Sequence, residues 1–183
     1  MHAVTSLQGN FLIAVPGMTD DNFTHAVVLM LQHDAKGATG LIINRPLSVS
    51  VSDAMSDIVE EASKIESPLF NGGPCEGPIF SLHDRKDVEA QDVVDRVRLS
   101  IERQAIRRLL RKPTPRLRLI TGYAGWGPMQ LEDELAQEGW LIVPATMDDV
   151  FGDADQLWSR LVARAQLLRF VRPDLIPPDS SVN

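Results

Sequence analysis

The sequence predicts an α+β fold in which helices pack against a mixed, bent or split β-sheet within a single compact domain. Three observations lead there. A length of 183 residues suits one domain, the early apolar runs have the lengths of hairpin-joined strands, and strand and helix patterns alternate afterwards. Because no repeat or linker interrupts this order, residues 1–172 are predicted to form the domain. Residues 173–183, rich in proline and polar side chains, are predicted to be a disordered tail.

The first half of the chain is predicted to be rich in strands. Gly37 lies in a short loop between two apolar runs, which is typical of a hairpin. Ser50 and Asp53 resemble a capping box and predict a helix start. The acidic residues 84–95 are predicted to be an exposed connection. The predicted strands are residues 11–15, 26–32, 39–44, 68–70 and 78–83. The apolar face of the predicted helix comprises Val51, Ala54, Met55, Ile58 and Val59.

The second half alternates strands with helices. Ser100 is predicted to cap a helix, and Pro128 suits the first turn of another, which would stop near Gly139. The predicted strands are residues 96–99, 116–120 and 140–144. The predicted helices are residues 101–112, 128–138 and a last one from about residue 155, whose inward side chains are Trp158, Leu161, Val162 and Ala165.

Residues 122–132 carry three glycines and two large aromatics between a predicted strand and a predicted helix. Glycine accepts backbone angles that other residues avoid and lets another group approach the main chain closely. We therefore interpret the segment as a shaped turn at an edge of the core.

Composition narrows the classes of function. The chain is an ordinary globular one, with 44% hydrophobic and 23% charged residues. Cys75 is its single cysteine, which excludes an internal disulfide and fits a reducing compartment. The sequence has no basic leader with a long apolar run and no apolar stretch of the roughly 18 residues that a bilayer requires. A cytoplasmic protein without membrane attachment is predicted, and no motif calls for a cofactor or a metal.

The formal charge of −7 disfavours nonspecific nucleic-acid binding, but the basic residues are concentrated. Nine of the 18 lie within residues 96–118, where Glu102 is the only acid. The candidate basic surface consists of Arg96, Arg98, Arg103, Arg107, Arg111, Arg116 and Arg118. It would meet a nucleic acid or an acidic protein, or it is a solvated face that residues 84–95 neutralise internally; the second interpretation is favoured.

Two histidines end predicted strands, and each precedes an aspartate. Strand-end loops would bring His33, His83 and the two aspartates together as metal ligands or acid–base groups, or each histidine hydrogen-bonds its own turn, which is the favoured interpretation. Arg45 would clamp a carboxylate or phosphate, or it is tied to backbone carbonyls beneath a loop. The glycine turns at residues 72–74 and 122–127 would expose backbone N–H groups to an anion, although structural turns are favoured because phosphate-loop residues are missing.

Four ordered blocks resemble the AlgH/YqgE family of bacterial proteins. They are Gly-Asn-Phe-Leu-Ile-Ala-Val-Pro-Gly-Met at 9–18, Gly-Ala-Thr-Gly-Leu-Ile-Ile-Asn-Arg-Pro at 37–46, Asn-Gly-Gly-Pro at 71–74 leading to Leu-His at 82–83, and residues 122–132. The resemblance implies a compact α+β fold around a bent or split sheet, a cytosolic setting and no established activity, with a transcriptional-regulator label on some members. Leu31 stands where members often carry a cysteine, and Met129 where a glycine-type residue is usual.

The leading hypothesis is therefore a non-enzymatic binding or regulatory module that takes a protein partner or a small anionic ligand. The alternatives are an enzyme acting on a small anion, with His33 or His83 as base and Arg45 as anchor, and a nucleic-acid binder that uses the basic surface. The candidate pocket or partner surface comprises His33, Asn44, Arg45, Gly72, Gly73, Pro74, His83, Gly122, Tyr123, Gly125, Trp126, Gly127, Gln130 and Glu132.

Overall fold

The computed structural model describes residues 5–55 and 65–171, which form ten strands and five helices. The strands are β1 (Asn10–Ala14), β2 (Val27–Asp34), β3 (Gly37–Ile42), β4 (Pro46–Ser50), β5 (Pro68–Asn71), β6 (Cys75–His83), β7 (Gln91–Val94), β8 (Val97–Ser100), β9 (Leu117–Trp126) and β10 (Trp140–Pro144). The helices are α1 (Val51–Met55), α2 (Arg103–Arg111), α3 (Gln130–Ala136), α4 (Met147–Val150) and α5 (Ala154–Val171). The predicted helix residues Ile58 and Val59 and the predicted tail at 173–183 lie outside the described residues.

The strands form one curled sheet in the order β10-β1-β2-β3-β9-β6-β8-β7. β4 and β5 form a side branch, where β5 pairs with β9 in parallel and all other pairs are antiparallel. β9 holds the sheet together because its last residues pair with β3 and its earlier ones with β6. The α+β prediction with a mixed, bent sheet is confirmed.

Because successive side chains of a strand point to opposite faces of the sheet, the apolar residues of each strand contribute to the core on both faces. Phe11 and Ile13 of β1 pack on one face with α4 and α5, whereas Leu12 and Ala14 pack on the opposite face with Leu131 of α3. A third cluster joins α1 and α2 to β5 and β9. The helices therefore cover both faces of the sheet. No helix within the described ranges is both long and apolar enough to cross a bilayer.

Most predicted elements are confirmed. β2 and β3 form the hairpin around Gly37, and the Ser50 hydroxyl accepts the Asp53 N–H at 3.1 Å, as in a capping box. α5 buries Leu161, Val162 and Ala165 as predicted. α4 was not predicted, because a single turn carries too little periodicity to detect.

Two predictions around β7 and β8 are wrong. The predicted exposed connection at 84–95 contains β7, and it buries Val88 and Val93. Ser100 does not cap α2, since it ends β8 and its hydroxyl is used inside the sheet, so α2 begins only at Arg103. Ile101, the first residue of the predicted helix at 101–112, lies before α2 and is 48% exposed.

The predicted glycine turn at 122–127 is also wrong. β9 continues through it to Trp126, and only Gly122 within it has a positive φ, +73°. Gly122 is needed for close backbone contact within the sheet rather than for chain reversal. α3 begins at Gln130 after Met129, whose φ is +63°, so Pro128 lies before the helix.

Candidate functional site

His33 and Glu132 meet although 99 positions separate them in the sequence. The His33 Nδ1 atom accepts the backbone N–H of Leu7 at 3.2 Å. Its Nε2 atom therefore carries the ring proton and donates it to Glu132 Oε1 at 3.0 Å. The imidazole is buried, with both nitrogens used by internal partners.

Glu134 of α3 organises a second set of bonds beside this pair. Its Oε2 atom accepts the indole N–H groups of Trp126 at 2.9 Å and Trp140 at 2.8 Å, and its Oε1 atom accepts from Gln130 Nε2 at 3.1 Å. Gln130 Oε1 in turn accepts the Gly127 N–H at 3.0 Å. We call Glu134 and its partners, together with His33 and Glu132, the α3 network. It unites five predicted site residues: His33, Trp126, Gly127, Gln130 and Glu132.

Glu134→Ala is expected to lower the free energy of unfolding by about 2 kcal/mol, because two buried indoles lose a charged acceptor. Glu134→Gln keeps one acceptor oxygen and is expected to lose less. Urea unfolding followed by tryptophan fluorescence measures both, with exposed Gln137→Ala as the matched control on the same stretch of chain. Equal stability of the alanine and glutamine variants would contradict this account.

The two glycine segments lie against each other at the junction of β5, β6 and β9. A Cβ on Gly122 would stand 2.8 Å from the Gly73 carbonyl oxygen, and one on Gly72 would collide with the Gly122 carbonyl. The Gly72 N–H donates to Thr121 O at 2.8 Å and the Gly73 N–H to Asn71 Oδ1 at 3.1 Å. The N–H groups of Gly72 and Gly73, which were predicted to face an anion, therefore bond to groups within the fold.

A shallow hollow of about 450 Å³ lies over this contact, and Pro74, Cys75 and Gly122 contribute to its lining. Tyr123 packs edge-on against Phe80, with ring centroids 6.3 Å apart. Exposed Gly125 adjoins Tyr123 and Cys75. The contact of the two glycine segments thus brings together five more predicted site residues: Gly72, Gly73, Pro74, Gly122 and Tyr123. Their hydrogen bonds are separate from those of the α3 network.

Asn44 and Arg45 support the loop before β2. The Arg45 guanidinium donates to the carbonyl oxygens of Asn22 at 2.6 Å, Thr24 at 3.0 Å and Asp21 at 3.4 Å. Asn44 accepts the Val27 N–H at 2.8 Å and donates to His25 O at 2.9 Å. Of the two interpretations of Arg45, the structure shows the second, in which the guanidinium bonds backbone carbonyls beneath a loop. Burial lowers the pKa of Arg45.

His83 is fully buried in a third environment. Its Nδ1 atom accepts the Arg85 N–H at 3.2 Å, so Nε2 donates to Ser100 Oγ at 3.0 Å. Burial lowers the pKa of the imidazole, and the nearby positive charge of Arg98 lowers it further. His33 and His83 each hydrogen-bond a separate set of partners, so the structure does not join them in one acid–base site.

The predicted basic surface is divided. Arg118 is buried, donates to Ile43 O at 2.7 Å and Gly152 O at 2.9 Å, and stacks over Phe70 at 4.3 Å. Burial lowers its pKa to about 10. Arg98 bonds Asp92 at 2.9 Å and four carbonyl oxygens of the preceding loop. Including Arg118 in an exposed surface was wrong, and Arg98 is largely engaged within its own loop.

The remaining arginines of that set are exposed. Arg96 and Arg116 line a hollow of about 670 Å³ and pair with Asp95 at 3.4 Å and Asp84 at 3.5 Å. Arg103, Arg107 and Arg111 lie on the outer side of α2. The predicted internal neutralisation by residues 84–95 therefore holds for Arg96, Arg98 and Arg116. A further contact, Arg85 with Asp87, lowers the pKa of that carboxyl to about 2.

Sequence reasoning missed a groove of about 380 Å³ along the outer side of β10. Its apolar lining includes Leu135 of α3, Trp140 and Ile142 of β10, and Leu168 of α5. The apolar run at 140–144 signals a strand, but no sequence signal reveals that the strand lies at the end of the sheet.

A family model described as AlgH-like matches residues 11–168. An α+β protein with this curled sheet and these blocks therefore belongs to the AlgH-like family. A UPF0301 protein of Myxococcus xanthus is 40% identical over 84% of this chain and 88% of its own length. A second one, from Thioalkalivibrio sulfidiphilus, is 35% identical over 90% of this chain and 92% of its own.

Solved structures agree on the fold. The solution structure of the AlgH protein from Pseudomonas aeruginosa superimposes with a TM-score of 0.74 at 25% identity, covering 97% of each chain. A crystal structure of a Corynebacterium diphtheriae protein gives a TM-score of 0.72 at 22% identity over 90% of each chain. The family resemblance found in the sequence is confirmed, and the family has no specific activity attached to it.

Proposed function

We propose that the chain is a non-enzymatic binding module, regulatory in role, that acts through contact with a protein partner. One observation carries the proposal. Each side chain that was predicted to act as an acid–base group or an anchor is hydrogen-bonded to partners within the fold, and these side chains lie in three separate environments. His33 bonds Glu132, His83 bonds Ser100, and Arg45 bonds three carbonyl oxygens.

An enzyme would need such groups to converge on one concave site. A general base must lie within hydrogen-bond reach of the proton it removes, and an anchor must face the same ligand. Here Arg45 supports the loop before β2 while His83 contacts β8, and no hydrogen bond among the described residues links the two. This dispersal favours binding over catalysis.

Nucleic-acid binding is disfavoured by the same kind of observation. Phosphate contacts need a cluster of cations that are available to the ligand. Arg118 is buried, and Arg96, Arg98 and Arg116 each pair with an aspartate. The exposed arginines of α2 alone form a narrower cationic strip than the prediction required.

The groove along β10 supports a protein as the partner. It is apolar and lies against a strand at the end of the sheet, and an exposed sheet edge is a common docking place for an extended protein segment. A cytoplasmic setting remains a prediction that goes with this proposal.

Arg45→Lys is expected to lower the free energy of unfolding by about 1–2 kcal/mol, since an ammonium replaces a planar fork that bonds three carbonyls. Thermal shift measures the loss, with exposed Lys36→Arg as the matched control. If Arg45 has a structural role only, inorganic phosphate and nucleotides will leave the melting temperatures of the Arg45→Lys variant and the parent protein equally unchanged. A phosphate-induced stabilisation that disappears in Arg45→Lys would support the small-anion alternative and overturn the proposal.

A further inference from the structure

Among the strands of residues 5–55 and 65–171, β10 has one neighbour in the sheet, β1. The Val15 N–H donates to Gly139 O and the Ala145 N–H to Gly9 O on its β1 side. In an antiparallel pair the backbone groups of successive residues point alternately to the two sides. In the register of β10 with β1, Leu141 and Val143 therefore bond β1, whereas Trp140 and Ile142 direct their N–H and C=O groups outward.

The outward groups have no backbone partner within the described residues. Pro144 adds a carbonyl but no N–H, because its nitrogen is in the ring. The edge thus offers two donors and three acceptors, spaced as one added strand would need. An Ile142 side chain that is 39% exposed stands beside them.

The edge lies in the groove between two helices. Leu135 and Glu138 wall it on the side of α3, and Ala165, Leu168 and Arg169 wall it on the side of α5. Because successive side chains of an extended segment point to opposite sides, apolar residues at alternate positions would all pack against one of these apolar walls.

The two ends of the groove carry opposite charges. Glu138 lies two positions before β10. The Trp158 indole donates to Ala14 O at 2.8 Å, and Ala14 pairs with Trp140, so this part of α5 lies near the Trp140 end of the β1–β10 pair. Arg169 is eleven positions further along α5 and lines the groove, so we place it toward the Pro144 end. A segment with a cation at one end and an acid at the other is complementary to this groove.

We propose that the groove binds an extended segment of a partner protein by β-strand addition. The segment has apolar side chains at alternate positions and, running antiparallel to β10, an acidic residue at its N-terminal end near Arg169 and a basic residue at its C-terminal end near Glu138. This inference rests on the proposed function and deepens it, because it names the surface and the chemistry of the partner.

The test uses the full chain and the peptide Asp-Val-Thr-Val-Thr-Val-Lys, with blocked termini, as the probe. Amide hydrogen exchange followed by NMR reports each backbone position. The peptide is expected to slow exchange at Trp140 and Ile142 and to leave Leu141 and Val143, already bonded to β1, unchanged. The same peptide with a central N-methylated valine lacks one donor and is expected to bind about tenfold more weakly.

A matched pair of variants tests the same point from the protein side. Ile142→Pro removes an outward donor and is expected to weaken binding at least about tenfold, whereas Ile142→Ala keeps the donor and is expected to weaken it less. If Ile142→Pro fails to fold, the N-methylated peptide still tests the backbone bond, because it needs no change in the protein.

The contrary outcomes are distinguishable. If about millimolar peptide does not protect the amides of Trp140 and Ile142, strand addition is overturned. If the peptide protects amides around the glycine hollow and not those of β10, strand addition is also overturned, but the proposal of a binding module is not. Protection that grows with protein concentration in the absence of peptide assigns the groove to a second copy. Protection that is present without peptide and is lost when residues 172–183 are deleted shows that the chain's own C-terminal segment occupies the groove. An absence of peptide binding together with an Arg45-dependent phosphate effect overturns the proposed function as well.

Discussion

Replacing Asp149 by alanine is expected to lower the free energy of unfolding by about 3 kcal/mol. The Asp149 side chain is 4% exposed and receives bonds from Arg160 at 3.0 Å and from both Arg164 terminal nitrogens at 2.6 and 3.0 Å. The Thr146 hydroxyl adds a bond at 2.7 Å. Removing one partner of a buried ion pair costs about 3–5 kcal/mol, and the low end applies because both arginines are partly exposed and reach water.

Urea unfolding at neutral pH measures this loss. Asp148→Ala is the matched control, since Asp148 is the exposed neighbour on α4 and its removal is expected to change stability by less than about 0.5 kcal/mol. Asp149→Asn keeps the shape without the charge and is expected to fall between the control and the alanine variant. Comparable losses in Asp148→Ala and Asp149→Ala would show that the ion pairs add nothing specific.

The contribution of Asp149 also has a defined pH dependence. Burial opposes its ionisation, but hydrogen bonds from Arg164 and Thr146 and the two arginine charges outweigh burial and lower the pKa. A lowered folded-state pKa contributes stability that is fully present above the unfolded value of about 3.9 and is lost as pH falls through the folded value. The stability difference between the parent protein and Asp149→Asn is therefore expected to shrink below about pH 4 and to stay constant from about pH 5 to 7.

Local signals predicted the elements that local chemistry determines. The β2–β3 hairpin follows from two apolar runs around Gly37, and the start of α1 follows from Ser50 and Asp53. The apolar periodicity of α5 identified its buried side. Each of these features depends on residues a few positions apart, which a sequence pattern records directly.

The errors arose where a distant partner decides the outcome. Gly122 and Gly125 indicated a turn, but glycine is required at 122 because the backbone carbonyls of Gly73 and Cys75, some fifty positions earlier, lie against it. Ser100 is a good capping residue by type, yet its hydroxyl serves His83 within the sheet. A single sequence cannot show which of two compatible environments a glycine or a serine enters.

The candidate site was predicted in part for the same reason. Strand-end positions were correct for both His33 and His83, but their partners, Glu132 and Ser100, became known only from the three-dimensional arrangement. Arg118 shares its sequence window and its type with exposed arginines, and only the alternation of β9 directs it inward. Residue type indicates what a side chain can do, whereas the sheet order decides whether a ligand can reach it.

Gly73→Ala is expected to destabilise the protein by about 4 kcal/mol, the largest effect among these variants. Gly73 has a φ of +147°, a conformation that side chains rarely adopt, and a Cβ there would collide with the Tyr123 carbonyl and stand 2.5 Å from Ala124 N. Backbone strain of about 1–3 kcal/mol adds to overpacking of about 1–3 kcal/mol, and backbone atoms of a central strand cannot move aside cheaply.

Gly17→Ala separates the two causes. Gly17 has a φ of +98°, but a Cβ at that position would meet no atom within 4 Å. Its loss is expected to be about 1–2 kcal/mol from strain alone, so the difference in urea unfolding free energy between the two variants measures the collision. Equal losses would mean that the β5–β6 connection yields to the new methyl group and that the close contact of the two glycine segments does not determine stability. A much larger loss in Gly73→Ala would establish that contact as the reason for glycine at both 73 and 122.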